Sequence, residues 1–147
     1  MSSQVSTMKA LGNKEVVSSG VWRAGVITAL IAAIVNVVIY FIGNSLVQPL
    51  QVVMGGATAP VQLPLFAVVI FSVVPLLGAM VLLWLLGRFT ARPFTIFTLI
   101  AVIFLLISFI PDLTMAGVSD LNKAILVLMH TVAGLTSILG LRRLARG

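Results

Sequence analysis

Long apolar runs, separated by short polar or turn-forming segments, dominate the chain. Four runs are long enough to form helices, and they cover about residues 21–43, 63–86, 94–110 and 122–141. At about 1.5 Å per residue the first run extends roughly 34 Å, which exceeds the ~30 Å hydrocarbon core of a bilayer. The pattern therefore predicts four transmembrane helices.

The first run has a cleaved signal peptide as its alternative interpretation. Signal-peptide apolar regions are only about 7–15 residues long and lie nearer the start of the chain. No clear small-x-small cleavage motif follows this run. The sequence therefore favours a helix that is retained in the membrane.

Glycine, proline and capping residues mark the expected helix boundaries. Residues 87–93 form a short turn, with Pro93 suited to the first position of the next helix, so the second and third helices are expected to be antiparallel neighbours. Pro75 interrupts the second run near its centre, and membrane helices tolerate such a kink. The third helix is expected to stop at Pro111, and Ser119 is expected to cap the fourth.

Residues 44–62 carry no charge and contain two prolines and two adjacent glycines. Residues 51–54 and 61–62 on either side of the Gly55-Gly56 pair have the composition of a short β-hairpin. An interfacial cap and an irregular loop are the alternatives for this first extracytoplasmic segment.

Composition supports a membrane protein. Hydrophobic residues make up 61% of the 147 residues and charged residues 8%, whereas soluble domains have roughly 45–50% and about 25%. A chain of this size cannot bury so much apolar surface in a soluble fold, and we predict an all-α, four-helix transmembrane bundle. The chain has no cysteine, which excludes disulfides and cysteine-ligated metal sites.

The net charge of +6 is distributed unevenly among the segments between the runs. Lys123, at the start of the fourth run, is the one basic residue on the side of the two loops that follow the first and third runs. The other eight lie on the opposite side, before or at the start of the first run, between the second and third runs, and after the fourth: Lys9, Lys14, Arg23, Arg88, Arg92, Arg142, Arg143 and Arg146. The positive-inside rule therefore predicts that both termini are cytoplasmic.

This charge distribution indicates topology and anchoring rather than nucleic-acid binding, because the basic residues are split among three segments. Trp22 and Trp84, near the same ends of the runs, are typical interfacial residues. The predicted organisation is a polar cytoplasmic tail at 1–20, a transmembrane domain at 21–143 and a basic tail at 144–147.

Polar residues on the small-residue stripes of the helices suggest a pocket toward the extracytoplasmic side. Asn36 lies roughly 10 Å below the end of the first run and His130 roughly 12 Å below the same edge. The candidate ligand-binding residues are Asn36, Tyr40, Ser108, Asp112, His130 and Thr131. The alternative is that Asn36 and His130 form interhelical hydrogen bonds that only stabilise the bundle.

No catalytic or metal site is predicted. One histidine without cysteine or a deep carboxylate cannot form a structural zinc site, and a haem would need a further ligand. Asp112 and Asp120 are expected to cap helix ends or to pair with Lys123. Proton-coupled transport usually uses an Asp or Glu inside a span, and none lies deep in a predicted one. No cofactor is expected.

Several short motifs resemble those of a known family. They are Asn36–Gly43, Val73–Pro75, Ile107–Leu113, Leu128–Gly134 and Gly140–Arg142. Together they resemble a family of small bacterial four-span membrane proteins known only as a domain of unknown function, over about residues 21–143. The resemblance implies a bacterial inner-membrane protein with four helices and no assigned activity.

Three functions are therefore open. The first is a non-enzymatic protein, either an accessory subunit or a binder of lipid or another small ligand. The second is a small oligomeric transporter or channel, and the third is a lipid- or quinone-acting enzyme that uses His130. The expected partners are the bilayer and either another membrane protein or a second copy of this chain, and nucleic acid is not among them.

Overall fold

The computed structural model describes residues 17–54 and 59–146. The four helices are α1 (Val21–Val47), α2 (Leu65–Phe89), α3 (Pro93–Thr114) and α4 (Asp120–Leu144), and strands β1 (Gln51–Val52) and β2 (Val61–Gln62) lie between α1 and α2. All four helices are long and apolar enough to cross a membrane. The predicted all-α four-helix bundle is thus confirmed. Most of the predicted N-terminal tail lies outside the described residues.

The helices follow one another around the bundle, so that α1 packs on α2 and α4 and lies opposite α3. Small residues allow the close contact between α1 and α4. A Cβ on Gly140 would lie 2.7 Å from Thr28 Oγ1, and Thr28 is itself buried. Because contact between apolar helices in a membrane depends on such close packing, this pair fixes the spacing of α1 and α4.

The helix ends agree with the local sequence signals, with two differences. Pro93 begins α3, and the Ser119 side chain caps α4 by accepting a hydrogen bond of 3.3 Å from Asn122 N. However, α2 continues through Gly87 to Phe89. Helix α3 also continues through Pro111 to Thr114, because a proline interrupts one hydrogen bond without ending a helix whose neighbours hold it.

The two strands confirm the predicted hairpin, which also acts as a cap on the bundle. They pair antiparallel, with Gln51 opposite Gln62. Asn122 of α4 fixes β1 by accepting a hydrogen bond from Gln51 N at 2.7 Å and donating one to Gln51 O at 2.8 Å. Leu50 and Leu63 beside the strands are buried against the helices. We call this end of the molecule the capped end.

The first and last described residues meet at the opposite end of the bundle. Ser18 N donates to Ala145 O at 2.8 Å, and Val17 and Arg146 form an isolated β-bridge. Trp22 and Trp84 also meet there, with ring centroids 5.6 Å apart. We call this the basic end, because α1 begins and α4 ends here with their arginines.

Candidate ligand-binding site

A cavity of about 550 Å³ lies between α2, α3 and α4, on the side of the bundle away from α1. Its volume is within the ~300–1,000 Å³ range of small-molecule sites. The lining is apolar except for Ser108, His130 and Ser137. A mainly apolar cavity with a few polar groups has the composition of a site for a lipophilic molecule.

The mouth of the cavity is rimmed by exposed apolar side chains of α2 and α3. Phe71 is 58% exposed and Phe104 is 65% exposed, and both line the cavity. Because exposed apolar surface on a membrane-spanning helix faces acyl chains, the opening is directed sideways toward lipid. Gly78 contributes open space within the cavity, since a Cβ built there has no other atom within 4 Å.

Two prolines in the cavity wall interrupt the helical hydrogen bonds of α2 and α3. Pro75 of α2 and Pro111 of α3 both line the cavity, and neither has a backbone N–H. The carbonyls of Phe71 and Ile107, four residues earlier, therefore lose their usual helical partners.

His130 and Asp112 form a close pair near one end of the cavity. His130 Nδ1 lies 2.8 Å from Asp112 Oδ2, and the two side chains are 43% and 5% exposed. The expectation that Asp112 caps a helix or pairs with Lys123 is wrong, whereas Asp120 does lie 3.9 Å from Lys123. The continuation of α3 past Pro111 brings the Asp112 carboxylate to His130, ten residues into α4.

The Nδ1 atom of His130 lies close to two oxygen atoms. Its Nδ1 lies 3.1 Å from Leu126 O, one turn earlier in α4, in hydrogen-bonding geometry. Asp112 Oδ2 is nearer to Nδ1 but accepts no well-aligned hydrogen bond from any described residue. A buried carboxylate without a full set of hydrogen bonds is costly, so the histidine is its main source of stabilisation.

The other predicted pocket residues lie elsewhere in the bundle. Asn36 donates to Ser72 Oγ at 2.9 Å and thereby joins α1 to α2. Tyr40 is buried in the cluster beneath the hairpin. Thr131 donates to Val127 O at 2.7 Å within α4. Of the six predicted residues, the structure brings together Ser108, Asp112 and His130, and their role in ligand binding stays a prediction.

Ser137 is a site residue that sequence reasoning missed. Most described serine and threonine side chains inside the helices donate to the carbonyl four residues earlier, as Thr28 and Thr98 do. Ser137 is buried and lines the cavity, yet its Oγ has no hydrogen-bond partner among the described residues. It lies two turns from His130, or about 10 Å along α4. The sequence carries no signal that distinguishes this hydroxyl from the others.

Within residues 17–54 and 59–146, no three His, Cys, Asp or Glu side chains come together as metal ligands. The fold and the cavity define a small multi-pass membrane protein with a side opening between two of its four helices. The chain belongs to a family of unknown function, DUF6069, which matches residues 17–147. This membership confirms the resemblance inferred from the short motifs. No curated protein and no solved structure matches the chain.

Proposed function

We propose that the protein is a non-enzymatic membrane protein that binds a lipid or lipid-like small molecule, taken from the bilayer into the cavity between α2, α3 and α4. The observation that carries this proposal is the apolar cavity of about 550 Å³ with its opening toward lipid. The unpartnered Ser137 hydroxyl supports it, because buried polar groups in native proteins normally have partners. A bound molecule with a polar group would supply one.

The test is native mass spectrometry of the gently extracted protein, with the cavity filled in one variant. Gly78 lines the cavity and a Cβ built there meets no other atom within 4 Å, so Gly78→Leu adds its side chain where the cavity has open space. The matched control is Val74→Leu on the same helix, where the side chain is 59% exposed. We expect the wild type and the control to retain one lipid or other small molecule and Gly78→Leu to lose it.

Other mass-spectrometric outcomes contradict the proposal. A bare wild-type protein, or a ligand retained equally by both variants, excludes the cavity as its site. A stoichiometric complex with another membrane chain and no small molecule would instead indicate an accessory subunit.

A small transporter is the second candidate, and the His130–Asp112 pair favours it. An ionisable pair inside membrane-spanning helices is a frequent feature of proton-coupled transport, and Asp112 is 3% exposed within α3. The test is uptake of the retained molecule into proteoliposomes under a pH gradient. Gradient-driven uptake that Asp112→Asn abolishes would support transport, and uptake independent of the gradient would exclude this form of it.

We further propose that the protein lies in a bacterial plasma membrane with its basic end, and so both termini, in the cytoplasm. The support is the excess of Lys and Arg at the basic end. Since the chain lacks cysteine, single cysteines placed at the exposed positions Ser19 and Ala116 can be labelled in intact cells with a membrane-impermeant maleimide. We expect labelling at position 116 and protection at position 19, and the reverse pattern would overturn this orientation.

A further inference from the structure

We propose that the cavity selects lipophilic alcohols and phenols, whose hydroxyl group donates a hydrogen bond to His130 Nε2. This inference rests on the proposed binding function and specifies its ligand class. It follows from the hydrogen bonds that the polar groups of the lining already make and from those that they still lack.

The Nδ1 atom of His130 must carry a proton. Its two nearest polar neighbours are Leu126 O at 3.1 Å and Asp112 Oδ2 at 2.8 Å. A backbone carbonyl only accepts hydrogen bonds, and an ionised carboxylate does the same. If Nδ1 were unprotonated, its lone pair would face the lone pairs of both oxygens, which is repulsive. In a neutral imidazole the other nitrogen, Nε2, then carries the lone pair and is an acceptor.

Nε2 is available to a ligand. No described residue forms a hydrogen bond with it, the His130 side chain is 43% exposed, and the residue lines the cavity. Histidines that bind metal ions are held in a similar way: an acceptor fixes the N–H of one ring nitrogen, and the other nitrogen is directed at the bound partner.

Ser108 gives the same end of the lining a second acceptor. Its hydroxyl donates to Leu105 O at 2.6 Å, so only the oxygen lone pairs remain for a ligand. No lysine or arginine lines the cavity, so the site has no strong donor for a phosphate, carboxylate or ester. The free hydroxyl of Ser137 lies about 10 Å away along α4, so two acceptors without a donor face the ligand at this end of the lining. They favour a ligand group that donates, and on a lipophilic molecule the simplest such group is a hydroxyl.

The experiment compares two probes that differ only in the donor, 4-nonylphenol and its methyl ether 4-nonylanisole. The full chain is held in phosphatidylcholine nanodiscs with ¹⁵N-labelled histidine. Because the chain has one histidine, the nitrogen spectrum reports on His130 alone. We expect the free ring to show a protonated Nδ1 and an unprotonated Nε2, and the phenol to shift the Nε2 signal.

The phenol should bind about tenfold more tightly than the ether, which is the effect of one hydrogen bond. This preference should vanish in the double variant His130→Phe/Asp112→Leu, which removes the acceptor without leaving a buried charge. The double variant should still bind both probes through the apolar lining.

The outcomes separate this inference from the proposed function. Equal binding of both probes by the wild type, with both lost in Gly78→Leu, would refute donor selection and leave the binding cavity intact. A ring protonated on both nitrogens at neutral pH would also refute it. Absence of binding by either probe, or binding that Gly78→Leu does not change, would contradict the cavity itself and the inference together.

Discussion

The stability of the bundle should depend on His130 and Asp112 as a unit. The perturbation is a double-mutant cycle with His130→Phe, Asp112→Leu and the two together. Removing the histidine leaves a carboxylate with a 5% exposed side chain and no other close hydrogen-bond donor among the described residues. Leaving a buried charged group without its donor costs about 3 kcal/mol. We expect His130→Phe to lower the free energy of unfolding by this amount.

Removing the aspartate should lower the free energy of unfolding less than removing the histidine does. In Asp112→Leu the imidazole keeps its Leu126 O acceptor, and the side chain is 43% exposed, so we expect a loss of about 1–2 kcal/mol. The double variant replaces both partners by apolar groups and should lose less than the two single variants combined, because such replacements are often nearly neutral. The expected coupling energy is about 2–3 kcal/mol.

The assay is reversible unfolding in mixed micelles with increasing mole fractions of a denaturing detergent. Thr131→Val is the matched control, because its hydroxyl bonds only to Val127 O within α4, and it should change the free energy of unfolding by less than about 1 kcal/mol. Single-variant losses that add to within about 0.5 kcal/mol in the double variant would refute the reasoning, since independent sites behave in that way.

Two further predictions concern close packing and the hairpin. Gly140→Val should reduce stability by about 1–3 kcal/mol, because its Cβ would lie 2.7 Å from Thr28 Oγ1, while Gly78→Ala should not; equal detergent midpoints for the two variants would contradict this. Asn122→Ala removes both hydrogen bonds to the Gln51 backbone and should accelerate amide exchange at residues 51–52 at least tenfold, as expected when about 1.4 kcal/mol or more is lost. Unchanged exchange measured by mass spectrometry would show that the hairpin does not depend on this anchor.

The bundle itself was predictable because the bilayer dominates its energetics. Each apolar run had the length of a span, and Pro93 and Ser119 carried the local signals for helix starts that the structure shows. The hairpin was weaker in the sequence, since its two strands contain only two residues each. Its anchor, Asn122, comes from a segment 71 residues away, and no local pattern reveals such a contact.

The site was harder to predict because it depends on how far one helix is shifted along another. Asp112 and His130 were both predicted pocket residues, but the third helix was expected to stop at Pro111, just before Asp112. The helix instead continues to Thr114, and the carboxylate lies beside His130. Asn36 and His130 were predicted at similar depths in the membrane, but this did not bring them into contact. Asn36 instead forms its hydrogen bond with Ser72 of α2. The cavity arises from a gap between helices, and a sequence pattern describes faces rather than the spaces that they leave.

Ser18 and Ala145 are joined by a hydrogen bond, which makes a circular permutation of the chain feasible. The helices would then follow one another in a different order along the chain while keeping the same arrangement in space. Because Ser18 and Ala145 touch, a short linker could join these two positions directly, and the chain could be reopened between β1 and β2. The permuted chain would insert α2 first and α1 last, with new termini at the capped end. If this chain assembles the same bundle, membrane insertion of this fold is governed by the charges that flank each helix rather than by the order in which the helices leave the ribosome.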